Sequence, residues 1–210
     1  MSAGRADTAR RMRPADTGSG EASDEALMLA YARGDAAAFE RLYARHKGPT
    51  YRYFLRHTSD RSAADELQQD VWLKLVRARE RYAADARFTT WLYTLARNRL
   101  VDHWRARHGA RLTSLDDADG EVLDPPGAGE PPTDASADPL ALLIDAQAGC
   151  RLQQALAEVP AAQRDAFLLH VEAGLSLAEI ATLCGVPAET IKSRLRYAYR
   201  RLRAALEDLQ

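Results

Sequence analysis

Residues Leu175–Arg203, LSLAEIATLCGVPAETIKSRLRYAYRRLR, constrain the fold more than any other part of this 210-residue chain. Ser176 followed by Glu179 forms a capping box, in which each side chain satisfies a free amide of a helix's first turn. Leu177, Ile180, Ala181 and Cys184 then supply an apolar face. Gly185 permits the turn that ends this helix, and Pro187 has its φ preset for the first turn of the next. The pattern predicts two short helices meeting at a steep angle.

On the second helix Ile191, Leu195, Leu202, Leu206 and Leu209 recur at steps of three, four or seven, so one stripe faces a core. Between Lys192 and Arg203 there are six Lys or Arg and no acid. Such a run repels itself unless something anionic lies nearby, and its place on the second helix of a helix-turn-helix points to DNA. The first turns of that helix would enter the major groove. Glu189, Thr190, Lys192, Ser193, Arg196 and Tyr197 are thereby candidates for base edges or flanking phosphates, with Arg200, further along, on backbone.

The net charge of −1 conceals a strong segregation. Arg41–Arg111 holds sixteen Lys or Arg against seven Asp or Glu, whereas Leu112–Cys150 holds nine acids and no Lys or Arg. Residues 1–22 have almost no apolar anchor and are expected to be a disordered tail. Residues 23–108 carry helical periodicity, including Phe88, Trp91, Leu92 and Leu95 on one stripe, with Gly48-Pro49 expected to close one helix and Tyr51–His57 to form another. Residues 109–138, with eight acids and clustered Gly and Pro, read as a flexible acidic linker, and 139–210 as a second helical domain. The expected fold is all-α: two small helical domains on a tether.

Cys150 and Cys184 have no ligand spacing, which argues against a disulfide framework or a zinc site. The chain has no apolar run long enough for a membrane span and no secretion signal, so a cytoplasmic location without membrane insertion is expected. A Gly-rich phosphate loop, a metal cluster and a nucleophile paired with a base are all missing from the sequence, so no catalytic residue, metal or cofactor is expected.

Three blocks resemble the sigma-70 family of bacterial RNA polymerase sigma factors, in its small two-domain extracytoplasmic-function (ECF) group. They are Ala64–Leu75 (ADELQQDVWLKL), Phe88–Arg105 (FTTWLYTLARNRLVDHWR) and Val159–Leu202, which contains VPAAQRDAFLLH, LSLAEIA and ETIKSRL. The resemblance implies a sigma region 2 helical bundle and a sigma region 4 helix-turn-helix. It implies core RNA polymerase and promoter DNA as partners, and an anti-sigma factor as inhibitor.

Carried over residue by residue, it makes Glu66, Gln69, Asp70 and Trp72 candidates for the contact with core polymerase. Two readings of Trp72 stand: it lies on an exposed face beside Gln69, where an exposed Trp marks a surface that a partner covers, or it simply fills the core. Tyr82, Arg87, Arg97, Asn98 and Arg105 become candidates for the minus-ten strand, with Trp91 structural. The recognition helix, with Glu189 where the family often has a small residue, would read the minus-thirty-five duplex. The rival is an autonomous helix-turn-helix regulator acting without polymerase, which leaves the first two blocks unexplained.

Overall fold

A computed structural model describes residues 22–108 and 149–207, and no strand occurs among them. The expected tail (except its last residue), the acidic linker and residues 139–148 of the expected second domain lie outside the described residues.

The amino-terminal unit contains α1 (Asp24–Ala32), α2 (Ala36–Thr58), α3 (Arg61–Ala78), a single 3-10 turn (Arg79–Arg81) and α4 (Phe88–His108). The starts of its first three helices follow from local chemistry. Ser23, Asp35 and Asp60 each accept an N–H of the following first turn through a side-chain oxygen. The start of α4 is capped from a distance: the Phe88 N–H donates to Glu25 Oε1 of α1 at 2.8 Å. Consecutive helices pack on one another, and α1 also reaches α4. Leu27, Met28, Leu42, Phe54, Leu67, Val71, Leu75, Phe88, Leu92 and Leu100 fill the space between them.

Gly48-Pro49 does not end a helix; α2 runs through it for 23 residues. Proline removes one N–H from the ladder and crowds the carbonyl one turn back, at roughly 3 kcal/mol. The carbonyl that loses its helical donor is that of Arg45, and the next two, of His46 and Lys47, accept from Thr50 Oγ1 and from Gln68 Nε2 of α3. Leu42 before the proline and Tyr53 and Phe54 after it are all fully buried, so packing on both sides overrides the local break.

The carboxy-terminal unit comprises helical residues 149–157 (α5), α6 (Ala161–Val171), α7 (Leu177–Cys184) and α8 (Ala188–Glu207). The capping box of Ser176 and Glu179 is present, and Gly185 caps α7 at φ +71°, where a Cβ would be strained. Ile180, Ala181, Ile191, Leu195 and Leu202 are buried, as their spacing predicts, and α8 packs on both α6 and α7. No described helix is long and apolar enough to cross a membrane.

The two units are not held apart. Helix α6 lies against α2 and α7 against α4, and one continuous apolar cluster contains residues of both.

Candidate nucleic-acid interface

Helix α8 has two opposed faces. Its core stripe is buried, and with a turn every 3.6 residues Lys192, Ser193, Arg196, Arg200 and Arg203 fall on the other side. Lys192, Arg196, Arg200 and Arg203 are exposed there, and Ser193 and Thr190 are partly exposed. The guanidinium groups of Arg196 and Arg200 lie 5.1 and 5.0 Å from the ring centre of Tyr197, so one aromatic face orients two cations. Glu189 is exposed and pairs with Lys192 at 3.6 Å, which tempers the repulsion an acid would feel beside phosphate. All seven candidates on this helix thus share one open surface, suited to a duplex groove.

The candidates in the amino-terminal unit divide. Asn98 and Arg105 are exposed on α4, with Arg105 3.9 Å from Asp102. Arg87 stands in the loop before α4, more than half exposed, 3.4 Å from Glu179 of α7. Arg97 is largely covered: its Nε donates to Asp165 Oδ2 of α6 at 2.8 Å. Burial disfavours its charge, yet the Asp165 carboxylate outweighs burial and raises its pKa, so it stays a cation.

Tyr82 departs from expectation. It is buried, packed at 5.0 Å on Trp91 and at 6.4 Å on Phe88, because the loop after the 3-10 turn folds back over the start of α4. Trp91, expected to be structural, is only partly buried in the same cluster and is the more accessible ring.

Trp72 takes the core reading. It is 6% exposed and sits edge-on to Phe39 and Tyr43 at 5.9 and 4.9 Å, so it belongs to the core and not to an open face. Helix α3 is gripped by both α2 and α4, which widens its buried face beyond the Leu67–Val71–Leu75 stripe. Glu66 and Asp70 do face outward, but both are held by Arg99 of α4, at 3.3 and 2.7 Å. Gln69 and Leu73 are exposed beside them, as is Tyr43 at the near edge of α2.

Sequence reasoning missed Asp165. It is 1% exposed and accepts from the Tyr53 hydroxyl and from Arg97, both at 2.8 Å. Burial alone would raise its pKa, but His57 and Arg97 beside it hold the carboxyl down at about 2. Its signal was an acid on the apolar face of α6, among Ala162, Ala166 and Leu169. Such a residue needs a buried partner.

Two family models match this chain: Sigma-70 region 2 at residues 42–109 and Sigma-70, region 4 at residues 151–202. The chain is 31% identical over 179 residues to the ECF RNA polymerase sigma factor SigL of Mycobacterium tuberculosis, covering 85% of this chain and 94% of that protein. It is 29% identical over 188 residues to the RNA polymerase sigma-H factor of Pseudomonas aeruginosa, covering 89% and 95% of the two. Among solved structures it is similar to the sigma factor RpoE of Bartonella quintana, crystallised with the anti-sigma factor NepR. There the TM-score is 0.61 at 25% identity, over 80% of this chain and 96% of that one.

Proposed function

This chain belongs to the sigma-70 family, as an ECF RNA polymerase sigma factor, and we propose how its residues share the work of directing core RNA polymerase to promoters. The observation that carries this reading is the exposed cationic stripe of α8, opposite a buried stripe, within a chain that spans nearly the full length of its relatives.

The amino-terminal unit grips core polymerase through the outer face of α3, where Glu66, Gln69, Asp70 and Leu73 lie, with Tyr43 at its edge. Trp72 supports that surface from beneath. Arg87, Arg97, Asn98 and Arg105 serve the minus-ten strand, where cations meet phosphates and an aromatic face stacks an unpaired base. Trp91, with Tyr82 packed behind it, supplies that face. Helix α8 reads the minus-thirty-five duplex through Glu189, Thr190, Lys192, Ser193, Arg196 and Tyr197, and Arg200 holds its backbone. The work is binding free energy directed to melting, in the cytoplasm, without a catalytic centre of the chain's own. Two contacts on one chain make the second effectively intramolecular once the first has formed. An anti-sigma factor is the expected inhibitor, as NepR partners the RpoE of Bartonella quintana.

Transcription from genomic templates by core polymerase with and without the purified chain tests this reading. Discrete start sites should appear only with the chain present. Sequence-specific duplex binding by the chain alone, with no promoter-specific transcription when core is added, would favour the autonomous regulator instead.

A further inference from the structure

Arg99 of α4 does not serve the face that Asn98 and Arg105 expose. It follows Asn98 by about 100° around the helix, and its guanidinium reaches across to α3. There Nε donates to Asp70 Oδ2 at 2.7 Å and Nη2 donates to Glu66 Oε1 at 3.3 Å. One planar fork thus holds two carboxylates that stand a helical turn apart. The Arg99 side chain is 18% exposed, against 39% for Asp70 and 66% for Glu66, so the cation is covered and the acids are the outer members of the cluster. Each acid gives one oxygen to Arg99, and among the described residues nothing donates to Asp70 Oδ1 or Glu66 Oε2.

Two acids at i and i+4 on a helix repel one another, and an exposed Glu is free to turn among rotamers. Arg99 cancels that repulsion and fixes both side chains, leaving the second oxygen of each for a partner. Its contribution to stability is small, because ion pairs open to solvent gain little. Helices α3 and α4 already pack together and bury Leu67, Val71 and Leu75 on one and Leu92, Ala96 and Leu100 on the other. A partner that presents Lys or Arg meets carboxylates already ordered, and ordered groups bind more tightly because less freedom is lost on association.

We infer that Arg99 is a positioning residue for the docking of core RNA polymerase: from α4 it holds Glu66 and Asp70 of α3 in the one geometry in which they accept from a cationic surface of the polymerase. This rests on the proposed docking through the outer face of α3. Bare charge predicts the opposite sign. Taking a cation out of an acidic surface strengthens the pull of that surface on a cationic partner, so a loss of affinity without Arg99 comes from lost geometry. Lysine does not substitute, because its ammonium is a compact point charge without the planar fork.

The test is a double-mutant cycle on the affinity of the full chain for core RNA polymerase, read by the anisotropy of a fluorescein label on the chain's amino terminus. Arg99→Ala should weaken binding about ten-fold, and Arg99→Lys several-fold. Glu66→Gln with Asp70→Asn should weaken it at least as much, and in that background Arg99→Ala should have no further effect. Arg107→Ala, which removes an exposed cation from the same helix, should bind like wild type. Circular dichroism checks folding, and if Arg99→Ala does not fold the cycle is run with Arg99→Lys. Unchanged or tighter binding by folded Arg99→Ala would overturn the inference, as would wild-type affinity for Arg99→Lys or a loss equalled by Arg107→Ala. A loss that persists undiminished without the two acids would assign Arg99 to helix packing alone and overturn it as well. Wild-type affinity of the acid double variant would sink the docking reading itself, and the inference with it, so the two failures are told apart by which arm of the cycle is silent.

Discussion

Replacing Trp72 separates a residue that stabilises a surface from one that docks on a partner. The side chain is 6% exposed, and its indole N–H is buried without a hydrogen-bond partner. Burying a Trp removes roughly 150–250 Å² from water. At about 25 cal/mol per Å² that is worth roughly 4–6 kcal/mol. Truncation of buried aromatics to alanine in other cores costs about 3–5 kcal/mol, so the two routes agree. Trp72→Ala should therefore lower the melting temperature by at least ~6 °C, at a few degrees per kcal/mol. Trp72→Phe keeps most of the apolar contact with Phe39 and Tyr43. It also removes an unpaired N–H whose burial costs about 1–3 kcal/mol, so its stability should stay within about 1 kcal/mol of wild type. Gln69→Ala, exposed on the next position of the outward face, should change stability by less than about 0.5 kcal/mol yet weaken capture by immobilised core polymerase. Thermal melts followed by circular dichroism and a core pull-down on the same preparations read all three. A Trp72→Ala chain that melts like wild type but no longer binds core would refute the reasoning, because the indole would then belong to the partner's contact.

Three further outcomes follow from the same coordinates. Gly185→Ala meets no neighbouring atom within 4 Å, so its penalty is backbone strain alone at φ +71°, about 1–2 kcal/mol; denaturant melts showing no loss would contradict the left-handed cap. Arg200→Ala should weaken duplex binding alike for all sequences and flatten the log K against log salt slope by about 0.9, whereas Arg196→Ala should also change sequence preference; an unchanged slope for Arg200→Ala would remove it from the phosphate contacts. Acidification should destabilise the closed chain in two steps. Burial pushes the His57 pKa below its usual value despite Asp165, so the unfolded chain takes up that proton first and stability declines as pH falls below about 6.5. Asp165, held at about 2 against an ordinary 3.8, adds a second decline as pH falls below about 4. His57→Leu should abolish the first step and, because it takes away one of the two partners that hold Asp165 down, shrink the second, and a wild-type melting temperature that is flat between pH 7.5 and about 5 would be incompatible with a buried neutral imidazole.

Local chemistry was the legible part of this chain. Ser176 with Glu179, and Gly185, act within a few residues of themselves, so their types alone announced where α7 starts and stops. The stripe of Ile191, Leu195 and Leu202 was equally plain, because α8 has one core-facing side and one open side. Ambiguity entered wherever a second neighbour decided the outcome. Trp72 lies beside the stripe of α3, and it is Phe39 and Tyr43 of α2 that turn that flank into core. Tyr82 follows a 3-10 turn, where no period exists to assign it a face, and it is the return of its loop over Phe88 that buries it. Pro49 carries the usual mark of a helix end, overridden by Leu42, Tyr53 and Phe54 packing on either side of it.

The contact between units was the least legible feature, and the reason bears on how such a chain can work. A covalent tether gives the second unit an effective concentration on the order of mM at the first, whichever of its faces is presented. On promoter DNA that favours the second contact once the first is made, with α8 turned to the duplex. The same advantage acts on the contact seen here, Asp165 on Arg97, Glu172 on Arg52 and Arg56 and Glu179 on Arg87, so that a modest interface is enough to hold the units together. The faces used are different: the cationic stripe of α8 remains open while α6 and the start of α7 are covered.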